Sequence, residues 1–261
     1  DVIFLGDMPN SSLTTRFGDM LKEFVGKFGG GLVVMAGPRF GPGQLAGTPI
    51  ADMLPVIVEP DGQPRDDREF DIQQSPMAAQ YDFMRLGESD GENARAWGNL
   101  RRLPWYQPVR RVESSATTVL AEHPVDLCSD GRTPQPLIAI RRYGRGEVIY
   151  LGFNEMWRLR KQYGEQYYRQ VWGQLIHRLG LSHALGSQKR FVVRTDRQQY
   201  QPDDSALVTV EAYDENFEPL TSDLLDDRHL SGDLWLPGRS ADALGETRPI
   251  TLTEYRPGVF E

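Results

Sequence analysis

Two short apolar runs on either side of an amphipathic segment constrain the fold of this chain most strongly. The first, VIFLGD, spans residues 2–7, and the second, GLVVMAG, spans residues 31–37. Both end in small or polar residues, as buried parallel strands do. Between them, apolar residues recur at helical spacing, with Ser11 or Ser12 as the candidate N-cap and glycines at 29–31 as the stop. The pattern predicts a strand–helix–strand unit with a right-handed crossover, which indicates an α/β fold.

The following residues extend this α/β pattern. Residues 137–142 and 147–153 read as two strands joined by a tight turn, and residues 161–181 read as an amphipathic helix. A further helix is predicted over 75–87. The polar stretch 59–75 should form an exposed excursion, and the aromatic, proline-broken stretch 99–112 should form an ordered loop lying on the sheet.

The sequence pattern changes near residue 183, from alternating strands and helices to strands alone, and this change predicts a second domain. Residues 1–182 form the expected α/β domain, residues 183–190 a linker, and residues 191–261 a series of short strands without helices. Such strands indicate an incomplete all-β sandwich. Both ends of the chain look strand-like, so we expect a piece of a longer protein.

Composition narrows the classes of function. The formal net charge of −8 disfavours nucleic-acid binding, which rewards a basic surface. No apolar run is long enough to cross a bilayer, so the chain itself is expected to be soluble. The four histidines and the single cysteine, Cys128, show no metal-ligand spacing, and no cofactor motif is present. We therefore expect neither a metal nor a cofactor.

Two long segments together resemble a known family. FVGKFGGGLVVMAGPRFGPGQLAGTPIADMLPV and PLIAIRRYGRGEVIYLGFNEMWRLR are similar to class I glutamine amidotransferase-like domains of large membrane-anchored bacterial proteins. The pattern YQPDDSALVTVEAYD, at 200–214, resembles the immunoglobulin-like modules that follow in such proteins. The resemblance implies a flavodoxin-like parallel sheet with flanking helices and an immunoglobulin-like sandwich after it. It also implies an extracytoplasmic location, and a cytoplasmic location is the alternative.

The same resemblance implies where an amidotransferase site would lie. Its cysteine nucleophile would occupy the turn after the second strand, where this chain has Gly37 and Pro38. Its histidine and glutamate would follow a late strand, where this chain has Asn154 and Glu155. Neither the nucleophile nor the histidine is present at these positions, and Asn154 cannot act as a base at neutral pH. We read Cys128 as an ordinary thiol, because it lies in a polar loop.

Two interpretations of the late-strand residues stay open. As a ligand site, Arg158 or Arg160 would grip a carboxylate or sugar and Trp157 would form an apolar wall, with Arg39 beside them. As a structural feature, Glu155 would pair with an arginine, tie its loop to residues 97–112, and leave Trp157 in the core. The glycine-rich loop at 37–43 is expected to be a structural turn, although its backbone could also cradle a phosphate.

These observations predict a non-catalytic domain that serves in interaction or scaffolding, with a protein or carbohydrate partner. The alternative is an enzyme or binding domain for a small polar or sugar-like ligand, with a site built from Glu155, Arg158, Arg160 and residues 37–43.

Overall fold

The computed structural model describes residues 1–60, 62–113, 116–161, 164–184, 191–197, 205–214, 219–225, 227–236 and 246–261. The chain divides into two compact units, Asp1–Gln188 and Lys189–Glu261. The first is a mixed α/β unit, and the strands described in the second pair in antiparallel fashion.

Eight strands are described in the first unit. They are β1 (Val2–Gly6), β2 (Gly31–Met35), β3 (Val56–Val58), β4 (Gln73–Gln74), β5 (Val109–Val112), β6 (Thr117–Leu127), β7 (Pro134–Tyr143) and β8 (Gly146–Leu151). Six of them form one sheet in the order β1-β2-β8-β7-β6-β4, while β3 and β5 form a separate antiparallel pair.

The main sheet is mixed rather than wholly parallel. Strands β1, β2 and β8 are parallel neighbours, whereas β7 runs against both β8 and β6. The reversal occurs in a two-residue turn between Tyr143 and Gly146, where Gly144 takes a φ of 55°. Glycine suits this left-handed position because it has no Cβ to clash with the backbone.

The described residues contain three α-helices, α1 (Thr15–Gly26), α2 (Asp90–Trp97) and α3 (Gln166–Ala184). The predicted N-cap of α1 is wrong. Ser11 and Ser12 belong to a short 3-10 turn, and the cap is Thr14, whose Oγ1 accepts a hydrogen bond from Phe17 N at 3.2 Å. Helix α2 was not predicted, because its sequence, DGENARAW, carries few apolar residues to mark a buried face.

The helix predicted over residues 75–87 is also wrong. Two 3-10 turns, Pro76–Gln80 and Asp82–Met84, replace it. The buried side chains there are Ala78, Tyr81, Phe83, Met84 and Leu86, of which Ala78, Tyr81 and Met84 are three residues apart. That spacing matches the three residues per turn of a 3-10 helix rather than the 3.6 of an α-helix.

Alternating side chains on the strands build a core on each face of the sheet. On β2, Leu32 and Val34 pack in the same cluster as Leu21 and Val25 of α1. Val33 points to the other face, whose cluster includes the buried stripe of α3, Val171, Leu175 and Leu179. The period of two along the strand therefore separates the two layers of helices.

The second unit contains six described strands, β9 (Phe191–Thr195), β10 (Val208–Ala212), β11 (Leu230–Leu236), β12 (Glu246–Leu252), β13 (Glu254–Arg256) and β14 (Val259–Phe260). They form a sheet in the order β13-β14-β10-β9 and a separate β11–β12 pair. Val210, Ala212 and Phe260 are buried between them. The first residues of the immunoglobulin-like pattern, 200–204, lie outside the described residues.

Candidate functional site

The parallel strands bring the predicted site residues to one edge of the main sheet. Strands β1, β2 and β8 end at Gly6, Met35 and Leu151, and these ends share an edge. The segments that leave them carry Asp7, the loop 37–43, and residues 154–160. Ligand sites of open α/β sheets lie at this edge, so it is the place to test the sequence predictions.

The loop 37–43 does form an anion cradle, but the anion in it is a side chain of the same chain. The carboxylate of Asp7 accepts hydrogen bonds from Arg39 N at 3.1 Å and Phe40 N at 2.9 Å. Arg39 Nε adds a charged hydrogen bond at 3.1 Å. A Cβ on Gly37 would lie 2.4 Å from Asp7 Oδ1, so only glycine allows this approach. The backbone donors that could bind a phosphate are thus occupied.

The electrostatics of Asp7 agree with this geometry. Burial would raise the pKa of the carboxyl group, but the hydrogen bonds from Phe40 and Arg39 outweigh it and hold the pKa below its ordinary value. Asp7 itself adopts a left-handed backbone conformation with a φ of 47°. The sequence contained a signal for this residue, since an aspartate directly follows a buried strand at the functional edge.

A cleft of about 20 Å³ lies beside this loop. It is lined mainly by apolar groups, among them Leu5, Leu13, Val34, Phe40 and Leu45. That volume holds about one water molecule, so it is too small for an amino acid or a sugar.

Glu155 and Arg158 form an ion pair that braces two loops. Arg158 Nε donates to Glu155 Oε2 at 2.6 Å, and the two side chains are 15% and 13% exposed, respectively. Arg158 Nη1 also donates to the carbonyls of Arg101 and Arg102, at 3.2 Å and 3.0 Å. The contact ties the segment after β8 to the loop at 97–112, as the structural interpretation of Glu155 requires.

Trp157 and Arg160 lie outside this ion pair, although the Arg158 guanidinium lies 5.7 Å from the centre of the Trp157 ring. Trp157 is 48% exposed, so the expectation that it lies in the core is wrong; Met156 and Leu159 are the buried residues of this turn. Lys161 Nζ lies 5.4 Å from the Trp157 ring. The guanidinium of Arg160 stacks 4.0 Å from the Tyr168 ring. The predicted ligand set therefore consists of a largely buried ion pair and an exposed aromatic, cationic surface, and Arg158 contacts both.

Residues 103–108 fill the crevice that a substrate would enter at the ends of the strands. Gln107 N donates to Gly152 O at 2.8 Å, and Tyr150 Oη donates to Gln107 O at 3.2 Å. The side-chain amide of Gln107 donates to Gly62 O at 2.8 Å, and a Cβ on Gly41 would come within 2.1 Å of its oxygen. Gln107 and Tyr106 are buried. Asn154, which precedes the turn Glu155–Arg160, is partly buried.

Cys128 is a buried thiol in the segment that leads from β6 into β7. Its Sγ donates a weak hydrogen bond to Pro134 O at 3.5 Å. Burial, with a smaller effect from Asp130, raises the pKa of the thiol to about 12. At neutral pH the thiol stays protonated and is a poor nucleophile.

A second polar cluster at this edge was missed by sequence reasoning. His123 and Asp126 follow the pairing of β4 with β6 and contact Tyr106 and two arginines, Arg65 and Arg68. The arginines lie more than fifty positions before Asp126 in the chain, so sequence spacing does not indicate the cluster.

The described part of the chain contains no helix that is both long and apolar enough to span a membrane. Within the same residues, no three His, Cys, Asp or Glu side chains group as ligands for a metal ion.

Comparisons with known proteins return structural likenesses alone: no family model and no curated protein matches the chain. The cytoplasmic protein STM3548 from Salmonella typhimurium is 18% identical, with a TM-score of 0.47 over 69% of this chain and 71% of that one. STM1381 from S. typhimurium LT2 is 16% identical, with a TM-score of 0.45 over the same shares. A β-galactosidase from Bacillus circulans is 13% identical, with a TM-score of 0.37 over 100% of this chain and 32% of that one. These values are low, so the functional proposal rests on the geometry of the chain itself.

Proposed function

We propose that this chain is a non-catalytic interaction domain of the class I glutamine amidotransferase-like type, followed by an immunoglobulin-like module. It would belong to a larger membrane-anchored bacterial protein and lie outside the cytoplasm. The observation that carries the proposal is the occupied strand edge: residues 103–108 fill the crevice, and Asp7 fills the cradle of the loop 37–43.

The state of the reactive groups supports a structural role for this edge. Glu155 is already neutralised by Arg158, and the Cys128 thiol is buried and protonated. A catalytic nucleophile needs access to substrate and a base within hydrogen-bond reach. Cys128 donates to a backbone carbonyl instead, which offers it no base.

The interaction surface that we propose is the aromatic ladder, defined as Trp157, Arg160, Tyr168, Trp172 and Phe4. Tyr168 and Trp172 lie 6.2 Å apart between ring centroids, and Trp172 and Phe4 lie 5.6 Å apart. Arg160 stacks on Tyr168 at one end, and Phe4 is an exposed residue of β1 at the other. Tyr168 and Trp172 are partly buried against the core, while Trp157, Arg160 and Phe4 are exposed. Tryptophan, tyrosine and arginine side chains are the types that dominate binding energy at protein interfaces.

The charge of the aromatic ladder selects an acidic partner. Arg160 adds positive charge over Tyr168 and Lys161 adds it beside Trp157, on a chain with a net charge of −8. A partner segment with carboxylates between apolar side chains would complement both features.

Site-specific crosslinking in the full-length protein, in its own cell, tests this proposal. A photoreactive amino acid at Trp157 should give one discrete protein adduct, which Arg160→Glu should abolish. Met20, an exposed residue of α1, is the matched control position and should give no such adduct. Equal adducts from both positions, or an adduct that persists in Arg160→Glu, would contradict the proposal. Ammonia release from glutamine by the purified chain would contradict its non-catalytic part.

One observation favours a second candidate, the binding of a small sugar-like ligand. Trp157 offers an exposed ring face beside two cations, which suits a polar ring with acidic groups. In that case tryptophan fluorescence should change on titration with acidic sugars, and Trp157→Phe should weaken the response.

A further inference from the structure

The segment 62–74 lies over the end of β6. It ends in β4, which pairs with β6, and two further backbone bridges attach it. Arg65 and Tyr106 exchange hydrogen bonds of 2.8 Å and 3.1 Å, and Phe70 and Leu103 exchange hydrogen bonds of 3.2 Å and 2.8 Å. Phe70 is buried against His123, with 4.4 Å between the ring centroids. The expected exposed excursion is therefore packed onto the sheet at these residues.

Asp126 is the centre of the polar contacts that hold the two arginines of this segment, while Glu69 and Asp71 contact Arg102. The carboxylate of Asp126 accepts a hydrogen bond from Tyr106 Oη at 2.6 Å. It also pairs with Arg68 and lies 3.8 Å from Arg65 Nη1. The Asp126 side chain is 12% exposed, which reduces screening of these ion pairs by water. A displacement of Asp126 would therefore release both arginines.

The position of Asp126 depends on the neutral form of His123. The Nδ1 atom of His123 accepts hydrogen bonds from Val125 N at 3.2 Å and from Asp126 N at 2.8 Å. An Nδ1 that accepts two hydrogen bonds carries no proton, so the ring is neutral and its proton is on Nε2. Nε2 is buried, has no hydrogen-bond partner, and lies 3.7 Å from Asp126 Oδ2.

Protonation of the ring would break this arrangement. A proton on Nδ1 would point at two backbone N–H groups, so the bonds that hold Val125 and Asp126 would be lost. Burial lowers the pKa of His123, and this effect outweighs the attraction of Asp126. The charged groups that act on the ring are Asp126, Arg68, Asp67 and Arg65, and the aromatic rings against it are Phe70 and Tyr106.

We propose that His123 is a pH-sensitive latch, whose neutral ring positions Asp126 and so holds the segment 62–74 on the sheet. When the ring takes up a proton, the latch opens, and Arg65, Arg68 and Phe70 leave the end of β6. The uncovered surface would include Tyr106 of the crevice segment, so opening would change access to the strand edge.

The direction of the pH dependence follows from linkage. The folded pKa of His123 lies below its unfolded value of 6.5, so the latch is fully stabilising above that value. As the pH falls below 6.5, the open state binds a proton that the closed state does not. The opening constant should then rise by up to about tenfold per pH unit until the folded pKa is reached.

Hydrogen exchange measured by mass spectrometry, corrected for intrinsic rates, tests the latch. Between about pH 7.5 and about pH 5, the protection of a peptide covering 62–74 should fall, by up to about thirtyfold, while a peptide from α1 stays unchanged. His123→Asn places an amide oxygen near the position of Nδ1 and does not titrate, so its protection should be the same at both values. His177→Asn, at an exposed histidine on α3, is the matched control and should keep the wild-type fall.

Two results would overturn the latch: equal protection of 62–74 at both pH values in the wild type, or the same fall in His123→Asn. If His123→Asn does not fold, NMR titration of the His123 ring in the wild type tests the latch instead. The latch requires the Nε2–H tautomer and a pKa below 6.5. A ring that protonates while 62–74 stays protected would refute it.

Discussion

Glu155→Gln should destabilise the first unit, because it removes one charge of a largely buried ion pair. Breaking a buried pair by deleting one partner costs about 3–5 kcal/mol. Here the side chains of Glu155 and Arg158 keep 13% and 15% of their exposure, and the glutamine oxygen can still accept from Arg158. We therefore expect a loss of about 2 kcal/mol.

Thermal unfolding measures this loss. For a unit of this size, about 2 kcal/mol corresponds to a fall in Tm of about 4–8 °C. Glu165→Gln is the matched control, because Glu165 also pairs with an arginine, Arg169, but in an exposed helical pair. That control should lose no more than about 0.5 kcal/mol.

The reasoning would be refuted if the two variants had equal Tm values. A second outcome would favour the ligand-site interpretation of Glu155: an unchanged Tm in Glu155→Gln together with loss of binding to a small acidic or sugar-like ligand. The two interpretations differ because a structural carboxylate acts in the absence of any ligand, whereas a binding carboxylate does not.

Three further predictions concern the strand edge and the thiol. Gly37→Ala should lower the free energy of unfolding in urea by about 1–3 kcal/mol, because the added Cβ would lie 2.4 Å from Asp7. Gly91→Ala is the control: its Cβ would meet nothing within 4 Å, so stability should not fall. Asp7→Asn should be less stable than the wild type near neutral pH. This difference in stability should shrink as the pH falls below 3.8, because a carboxyl group with a lowered pKa loses its stabilising contribution when it is protonated. A stability difference that does not depend on pH would contradict the charged cradle. Cys128 should react slowly with maleimide in the native chain and rapidly in denaturant, and equal rates would show that the thiol is accessible.

Part of the fold and of the site follows from short-range patterns in the sequence. The strand–helix–strand unit and the hairpin at 137–153 are confirmed, with β7 and β8 as the strands of the hairpin. Their prediction succeeds because buried strands and amphipathic helices leave periods of two and 3.6 residues. Once the strands are assigned, their parallel ends place Asp7, Gly37 and Glu155 at one edge.

Irregular segments carried no such period, so their packing could not be predicted. Residues 103–108 contain aromatic residues and prolines that would suit either a binding loop or an anchor. Tyr106 and Gln107 are buried, and Gln107 bonds to Tyr150 and Gly152, so the segment is an anchor packed on the sheet. The helix predicted at 75–87 failed for a related reason, since a spacing of three and one of 3.6 differ little over so short a stretch.

The sequence by itself determined the class of the first unit and the edge where its chemistry would lie, because both depend on patterns between near neighbours in the chain. Only the tertiary structure decided how that edge is occupied. Asp7 enters the cradle of Arg39 and Phe40, Arg158 reaches the carbonyl of Arg101, and Arg68 reaches Asp126. Each contact joins residues more than thirty positions apart, and it forms because the register of the sheet and the packing of its loops bring those groups together.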